Sequence, residues 1–282
     1  MSASSDFGGS GSKNQFTKTI SITSGKGGVG KSTLVSNLAL ALTQRNKKVL
    51  ILDGDMGLAN VDIMFGVRAT GSVEHVLNGT RSIDDILIEV APNISLIPGG
   101  SGVYGLQNTS ILQKKMLLDQ ISELHNQYDF MLIDTASGID DNVLYLNSAA
   151  QEVLVVLTPD PSSLTDAYAL IKVMNKKYNE QKFSVVANMV QDDKEGLQLF
   201  KRLSDVTHKF LNISLDYKGA IPLDGELRKA TKSQQLILTT QPQTSSSVAI
   251  RGLAEKLSHF NHITNVKGGM QFFWEQLVGQ AS

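Results

Sequence analysis

The sequence predicts an α/β fold, a mostly parallel twisted sheet flanked by helices on both faces. Short runs dense in Val, Ile and Leu alternate along the chain with stretches of helical period. Taken together, the runs are dense in these residues rather than strictly alternating, as expected of strands buried on both sides. The first run leads directly into a glycine-rich loop and then a helical stripe. That order places a loop at the carboxyl edge of a strand, where sheets of this class bind ligands.

Taken in order, the strand candidates are "TISIT", "KVLILD", "ISLIP", "FMLID", "EVLVVL", "FSVVAN" and "YKGAIP". Helical stripes lie between them: Leu34, Leu38 and Leu42; Leu117, Ile121 and Leu124; Ala167, Leu170, Ile171 and Met174; Leu199, Leu203, Val206 and Phe210. Residues 1–17, "MSASSDFGGSGSKNQFT", offer little to bury and read as a disordered tail. No linker divides residues 18–260, which read as one domain.

Composition narrows the function. With 41% apolar residues in 282, a large core can form. Acidic and basic residues number 27 and 26, for a net charge of -1, so no basic coat for nucleic acid is present and no direct nucleic-acid contact is expected. The chain has no cysteine, which removes disulfides, iron–sulfur clusters and thiolate zinc sites. No signal region opens the sequence and no run approaches the ~20 apolar residues of a membrane span, so a cytoplasmic location is expected. The five histidines form no ligand array, and the lysines at 172, 176, 177 and 182 read as a solvated helix face.

Chemistry concentrates in "SITSGKGGVGKSTLV". Gly25 to Ser32 match G-x-x-x-x-G-K-[ST], a loop whose backbone N–H groups and following helix N-terminus cradle phosphates. Lys31 is placed to reach the β- and γ-phosphates, and the Ser32 hydroxyl to ligate Mg²⁺. Lys26 is surplus to this pattern. Asp53 and Asp55 follow a buried strand, and Asp134 ends another, where a carboxylate holds Mg²⁺ through water. Asp62, Asp140 and Asp141 read as surface or capping residues.

The loop resembles the deviant Walker A motif, K-G-G-x-G-K-[ST], of the MinD/ParA family of P-loop ATPases, in which Gly25, Lys26, Gly27, Gly28, Val29, Gly30, Lys31, Ser32 and Thr33 bind nucleotide. The resemblance implies that Lys26 contacts phosphates bound by the partner subunit of an ATP-sandwiched homodimer, an assembly-dependent cation comparable to an arginine finger. It further implies that Asp55 orients the attacking water, that Asp53 supports the hydration shell of Mg²⁺, and that Asn188 and Pro222 hold the adenine. Slow, dimerisation-dependent ATP hydrolysis follows from these roles.

Further along, "GLANVDIMFG", "DTASGID", "SLTDAYALIK", "VANMV" and "GAIPLDGELRKA" resemble the flagellar-number regulators of that family, the FlhG or FleN group. The resemblance implies restraint of a flagellar master transcription activator of the AAA+ class, and contacts with basal-body components. The tail lacks the D-Q-A-x-x-L-R motif by which many relatives stimulate the GTPase FlhF. Two other readings stand beside this one, a ParA-like DNA-segregation ATPase and a MinD-type ATPase that places the division site.

The C-terminal segment 268–282 reads as an amphipathic helix. Met270, Phe273, Trp274 and Leu277 recur at helical spacing, Phe272 and Val278 widen the face, and Gly268 and Gly269 precede it as a hinge. A helix packed on the body and a releasable membrane or partner helix both fit this pattern. Resemblance to family members with a C-terminal targeting helix implies weak, reversible contact with the inner membrane, with polar placement.

Overall fold

A computed structural model describes residues 17–55, 61–100, 103, 110–124, 127–259 and 269–279. Eight strands form one sheet: β1 (Lys18–Ser24), β2 (Val49–Gly54), β3 (Ile88–Ala91), β4 (Ile94–Pro98), β5 (Phe130–Ser137), β6 (Glu152–Leu157), β7 (Phe183–Val190) and β8 (Leu215–Pro222). Their order is β3-β4-β2-β5-β1-β6-β7-β8, and β3 alone among them pairs antiparallel. The chain leaves β1 toward one edge and later continues from β6 toward the other. The switch point, where such sheets bind ligands, therefore lies beside β1.

The described helices are α1 (Lys31–Thr43), α2 (Val61–Met64), α3 (Val73–Leu77), α4 (Ile83–Ile86), α5 (Ile111–Glu123), α6 (Asp141–Ala149), α7 (Pro161–Tyr178), α8 (Asp193–Leu211), α9 (Gly225–Lys232), α10 (Ile237–Thr240), α11 (Ser245–Ser258) and α12 (Met270–Leu277). Alternate strand residues feed opposite layers, as the pleat requires. Ile20, Ile22, Ile51 and Leu132 pack with α1, α10 and α11. Leu50, Leu52, Met131 and Ile133 face α3 to α6 and α12, while Val153, Val155 and Val185 face α7 and α8.

Local chemistry sets the helix ends. Asp160 caps α7 by accepting from the Ser162 N–H at 2.9 Å, with Pro161 in the first turn, where its missing N–H costs nothing. Asn179 and Asn212 end α7 and α8 in the left-handed conformation.

Several sequence expectations are corrected here. Thr17, assigned to the tail, is fully buried and donates to the Tyr128 carbonyl at 2.7 Å, so this residue belongs with the body. Residues 1–16 lie outside the described part. The buried stripe of α8 is Gly196, Leu199, Leu203 and Thr207, and Phe210 is exposed. The stripe steps by four from Leu199 to Thr207, whose hydroxyl is satisfied by the Leu203 carbonyl at 3.0 Å.

In this structure α12 is docked. Met270, Phe273, Trp274 and Leu277 are 0% exposed and Val278 is buried with them, while Phe272 is half-buried. They fill the layer beside α5 and α6, and the Tyr145 hydroxyl donates to the Gln276 carbonyl at 2.5 Å. Gly268 lies outside the described residues. Trp274→Ala is expected to lower stability by about 3–5 kcal/mol through the cavity it leaves. Urea denaturation measures this, and a loss below ~1 kcal/mol would place α12 outside the cooperative core.

Candidate functional site

β1 ends at Ser24, residues 25–30 turn, and α1 begins at Lys31. The turn depends on glycine at two places. Gly30, preceding α1, has φ 91°, and a Cβ there would lie 2.7 Å from the Asn188 Nδ2. A Cβ on Gly25 would lie 2.3 Å from the carbonyl carbon and oxygen of Asp166, so glycine is what lets α7 close on the loop. Helix α1 has no side-chain cap and no acidic residue in its first turn. Its free N–H groups and the positive end of its dipole are therefore open to an anion.

Lys31 is only 8% exposed, and its ammonium donates to the Ser24 hydroxyl at 3.2 Å. Burial pulls its pKa down, while Asp134 and Asp55 oppose the fall. Asp53 and Asp134 sit at paired positions on neighbouring strands β2 and β5, 2% and 1% exposed. Burial pushes Asp53 up to about 6, against hydrogen bonds from the N–H groups of Asp55 (3.2 Å) and Val61 (3.4 Å). Burial likewise pushes Asp134 up to about 7. The nearby Ser32 hydroxyl opposes this without a hydrogen bond of ordinary geometry, and Asp53 adds to it.

Among the described residues, both Asp134 oxygens are buried without a hydrogen bond, and no group of three His, Cys, Asp or Glu converges. A protein cage for a cation is therefore absent from that part. Two carboxylates and the Ser32 hydroxyl beside a phosphate loop suit Mg²⁺, which keeps most of its shell as water and phosphate oxygen. The residues fit such an ion. Bound there, it would satisfy the orphaned Asp134 oxygens and offset the burial and the neighbouring like charge that raise both carboxyl pKa values.

The surplus lysine lies at the rim. The Lys26 ammonium, with its side chain 35% exposed, sits 2.5 Å from Asp160 Oδ2 and 2.7 Å from the Ser162 hydroxyl. That bond holds the Asp160 carboxyl down to about 2. Sequence reasoning missed both partners. The signal was available in "DPSS", an Asp–Pro helix start after β6, the strand next to β1.

Asn188 lies near the carboxyl end of β7, and its amide donates to the Val29 carbonyl at 2.7 Å. Beside it opens a largely apolar cavity of about 380 Å³, lined by Gly30, Thr33, Asn188, Pro222, Leu227 and Arg228 among others. Asn188 and Pro222 thus share one cavity that adjoins the phosphate loop. Leu227 and Arg228 were not singled out in the sequence, although they lie in the quoted "GELRKA". Of the residues assigned to surface or capping, Asp141 pairs with Lys177 at 2.6 Å, and Asp62 accepts from the Ala69 N–H at 3.0 Å.

The raised carboxyl pKa values have a consequence for stability. Without metal or nucleotide, the folded protein holds protons on Asp53 and Asp134 that the unfolded chain, with an ordinary value of 3.8, has lost. Their contribution is therefore full below pH 3.8 and is lost as pH rises through about 6 and 7. Asp134→Asn should flatten this fall and raise stability at pH 8 by about 1–3 kcal/mol, since position 134 then no longer buries a charge. Thermal unfolding across pH, free of divalent cations, tests this, and an unchanged slope would show Asp134 ionised throughout.

Comparison with known proteins agrees with this geometry. The ParA family model, described as "NUBPL iron-transfer P-loop NTPase", matches residues 15–258. Thiolate ligation of an iron–sulfur cluster has no ligand here, since the chain has no cysteine. The chain is 38% identical over 261 residues to the antiactivator FleN of Pseudomonas aeruginosa, covering 93% of each. It is 35% identical over 269 residues to the flagellum site-determining protein YlxH of Helicobacter pylori, covering 93% of this chain and 90% of that one. Among solved structures, the septum site-determining protein MinD of Pyrococcus horikoshii, complexed with Mg-ADP, matches with a TM-score of 0.68 at 26% identity, covering 86% of this chain and 96% of that one. A phosphate loop at the switch point of such a sheet, in a sequence this close to known members along nearly its whole length, has one reading: the chain belongs to the ParA/MinD family of P-loop NTPases.

Proposed function

We propose that this protein is a switch driven by ATP and Mg²⁺ that dimerises in the ATP state and limits the number and placement of polar flagella by restraining a transcription activator. The observation that carries the reading is Lys26. It stands at the rim of a phosphate site that Lys31 already serves, and its ammonium is held outside that site by Asp160 and Ser162. A cation its own site does not need is available to the phosphates of a second copy. Likeness to an antiactivator and to a flagellum site-determining protein supports the flagellar role over DNA segregation, as does the near-neutral charge.

In this reading the loop N–H groups and Lys31 bind the phosphates, while Ser32, Asp53 and Asp134 hold Mg²⁺. Bound there, Mg²⁺ would supply charge neutralisation to the phosphate oxygens. Asp55 orients the water that attacks the γ-phosphorus, and Lys26 of each subunit completes the charge on the other's nucleotide. In this reading the base is adenine. One of the two Asn188 amide N–H groups is given to Val29, which fixes the amide's orientation; its Oδ1 is then the acceptor that would match a 6-amino group and be repelled by the 6-oxo group of guanine. Lys26→Ala should bind ATP as a monomer, and light scattering with a non-hydrolysable analogue should show at least a tenfold loss of dimer. The same variant should fail to correct the flagellar number of a strain deleted for the protein. A normal dimer, or full correction, overturns the reading.

The C-terminal helix extends this switch to the membrane. No helix among the described residues is long and apolar enough to cross one. The apolar face of α12 suits the surface of a bilayer instead, reached when the helix leaves its dock in the ATP state. Sedimentation with liposomes should show weak binding that needs ATP and is lost on truncation after Lys267. Equal binding with ADP and ATP would remove the switch from this idea.

A further inference from the structure

Two consecutive residues of the phosphate loop rest on one side chain of a distant strand. Asn188, 5% exposed at the carboxyl end of β7, donates its amide N–H to the Val29 carbonyl at 2.7 Å. The next residue, Gly30, approaches the same nitrogen so closely that a Cβ would lie 2.7 Å from it. A carbonyl acceptor requires a donor, so the Asn188 amide can adopt only one of its two orientations.

The backbone around Asn188 is built to hold that aim. The β7–β8 register shifts between Asn188 and Val190, and Met189 between them has φ 59°, a left-handed conformation that a long side chain seldom adopts. The bulge falls directly after Asn188, and the ladder resumes with Val190 opposite Pro222.

The peptide unit is planar and trans, so its C=O and N–H point in opposite directions. Anchoring the Val29 carbonyl on Asn188 turns the Gly30 N–H away from Asn188. A flipped Val29–Gly30 peptide would instead set a carbonyl oxygen where phosphates need donors. Glycine at Gly30, with φ 91°, makes that flip sterically cheap, and the strand end supplies the restraint.

We propose that Asn188 is a positioning residue for the phosphate loop, a tether that fixes the Val29–Gly30 peptide and links loop order to an occupied base cavity. The inference rests on the nucleotide reading above and adds a role that base contact alone does not require. Phosphate binding should therefore depend on Asn188 even for a ligand with no base.

The test titrates the full chain with inorganic tripolyphosphate plus Mg²⁺, and separately with adenosine, by calorimetry. Asn188→Ala should weaken tripolyphosphate by about 10- to 100-fold, the range for losing one buried hydrogen bond and leaving its acceptor unpaired. Hydrogen exchange of residues 25–31 in the ligand-free variant should quicken, while exchange in β1 stays unchanged. Asn188→Leu, which fills the volume without a donor, gives the same comparison if the alanine variant is too unstable to titrate. Tripolyphosphate affinity within threefold of wild type, with adenosine alone weakened, would make Asn188 a base contact only and overturn the tether. Failure of the wild type to bind ATP would strike the nucleotide reading instead, and loop exchange in the variant would still decide the tether.

Discussion

The structure depends on one electrostatic constraint: an ammonium and two carboxylates are buried together at the centre of the sheet with too few partners. Parallel pairing of β1 with β5, and of β5 with β2, fixes this, because it sets Asp134 and Asp53 side by side toward the carboxyl ends of β5 and β2, next to the loop that carries the chain from β1 to Lys31 at the start of α1. Desolvation then works against all three charges, lowering the Lys31 pKa and raising both carboxyls. A polyanion with a divalent cation would resolve the conflict in a single binding event. The helix end, the glycine turn and the cavity near Asn188 all sit where they serve that event.

The contact that restrains Lys26 is of another kind. Its pair with Asp160 is substantially exposed on both sides, and exposed pairs of this sort contribute ~0–1 kcal/mol. Breaking it costs little, so it parks the lysine without committing it. A buried pair at this place would have held the lysine in its own subunit. The weak hold therefore suits a residue whose proposed role lies in a second copy of the chain.

Much of this could be read from the sequence, and the exceptions have physical causes. Seven of the eight strands announce themselves by apolar runs, in most because the strand is buried on both faces, although β8 is only partly buried. β3, with Ile88–Ala91 only half-buried on an antiparallel edge, needs no such run and leaves no such mark. The phosphate loop is legible because its glycines and lysine are required at fixed spacing. The partners of Lys26 and the bond from Asn188 to Val29 are not, since they join residues 134 and 159 positions apart, and only the strand order brings them together. In α8 the stripe ended on Thr207 and not on Phe210, because a threonine that bonds back to its own helix can be buried without a partner elsewhere.

The C-terminal helix shows how far a nucleotide can move such a system. Releasing α12 exposes Met270, Phe273, Trp274, Leu277 and Val278, all buried here. At about 1.5–3 kcal/mol for each large apolar side chain, the cost to water is roughly 7–15 kcal/mol. A ligand shifts an equilibrium only by its differential affinity for the two states, and couplings between sites typically amount to ~1–3 kcal/mol. ATP by itself therefore leaves the helix docked. A bilayer or an apolar partner groove that accepts the same face returns most of the transfer energy, and the nucleotide then needs to supply only the difference. The hidden face and the membrane reading are thus compatible on one condition: the acceptor takes part in the release, and nucleotide state decides whether its help is sufficient.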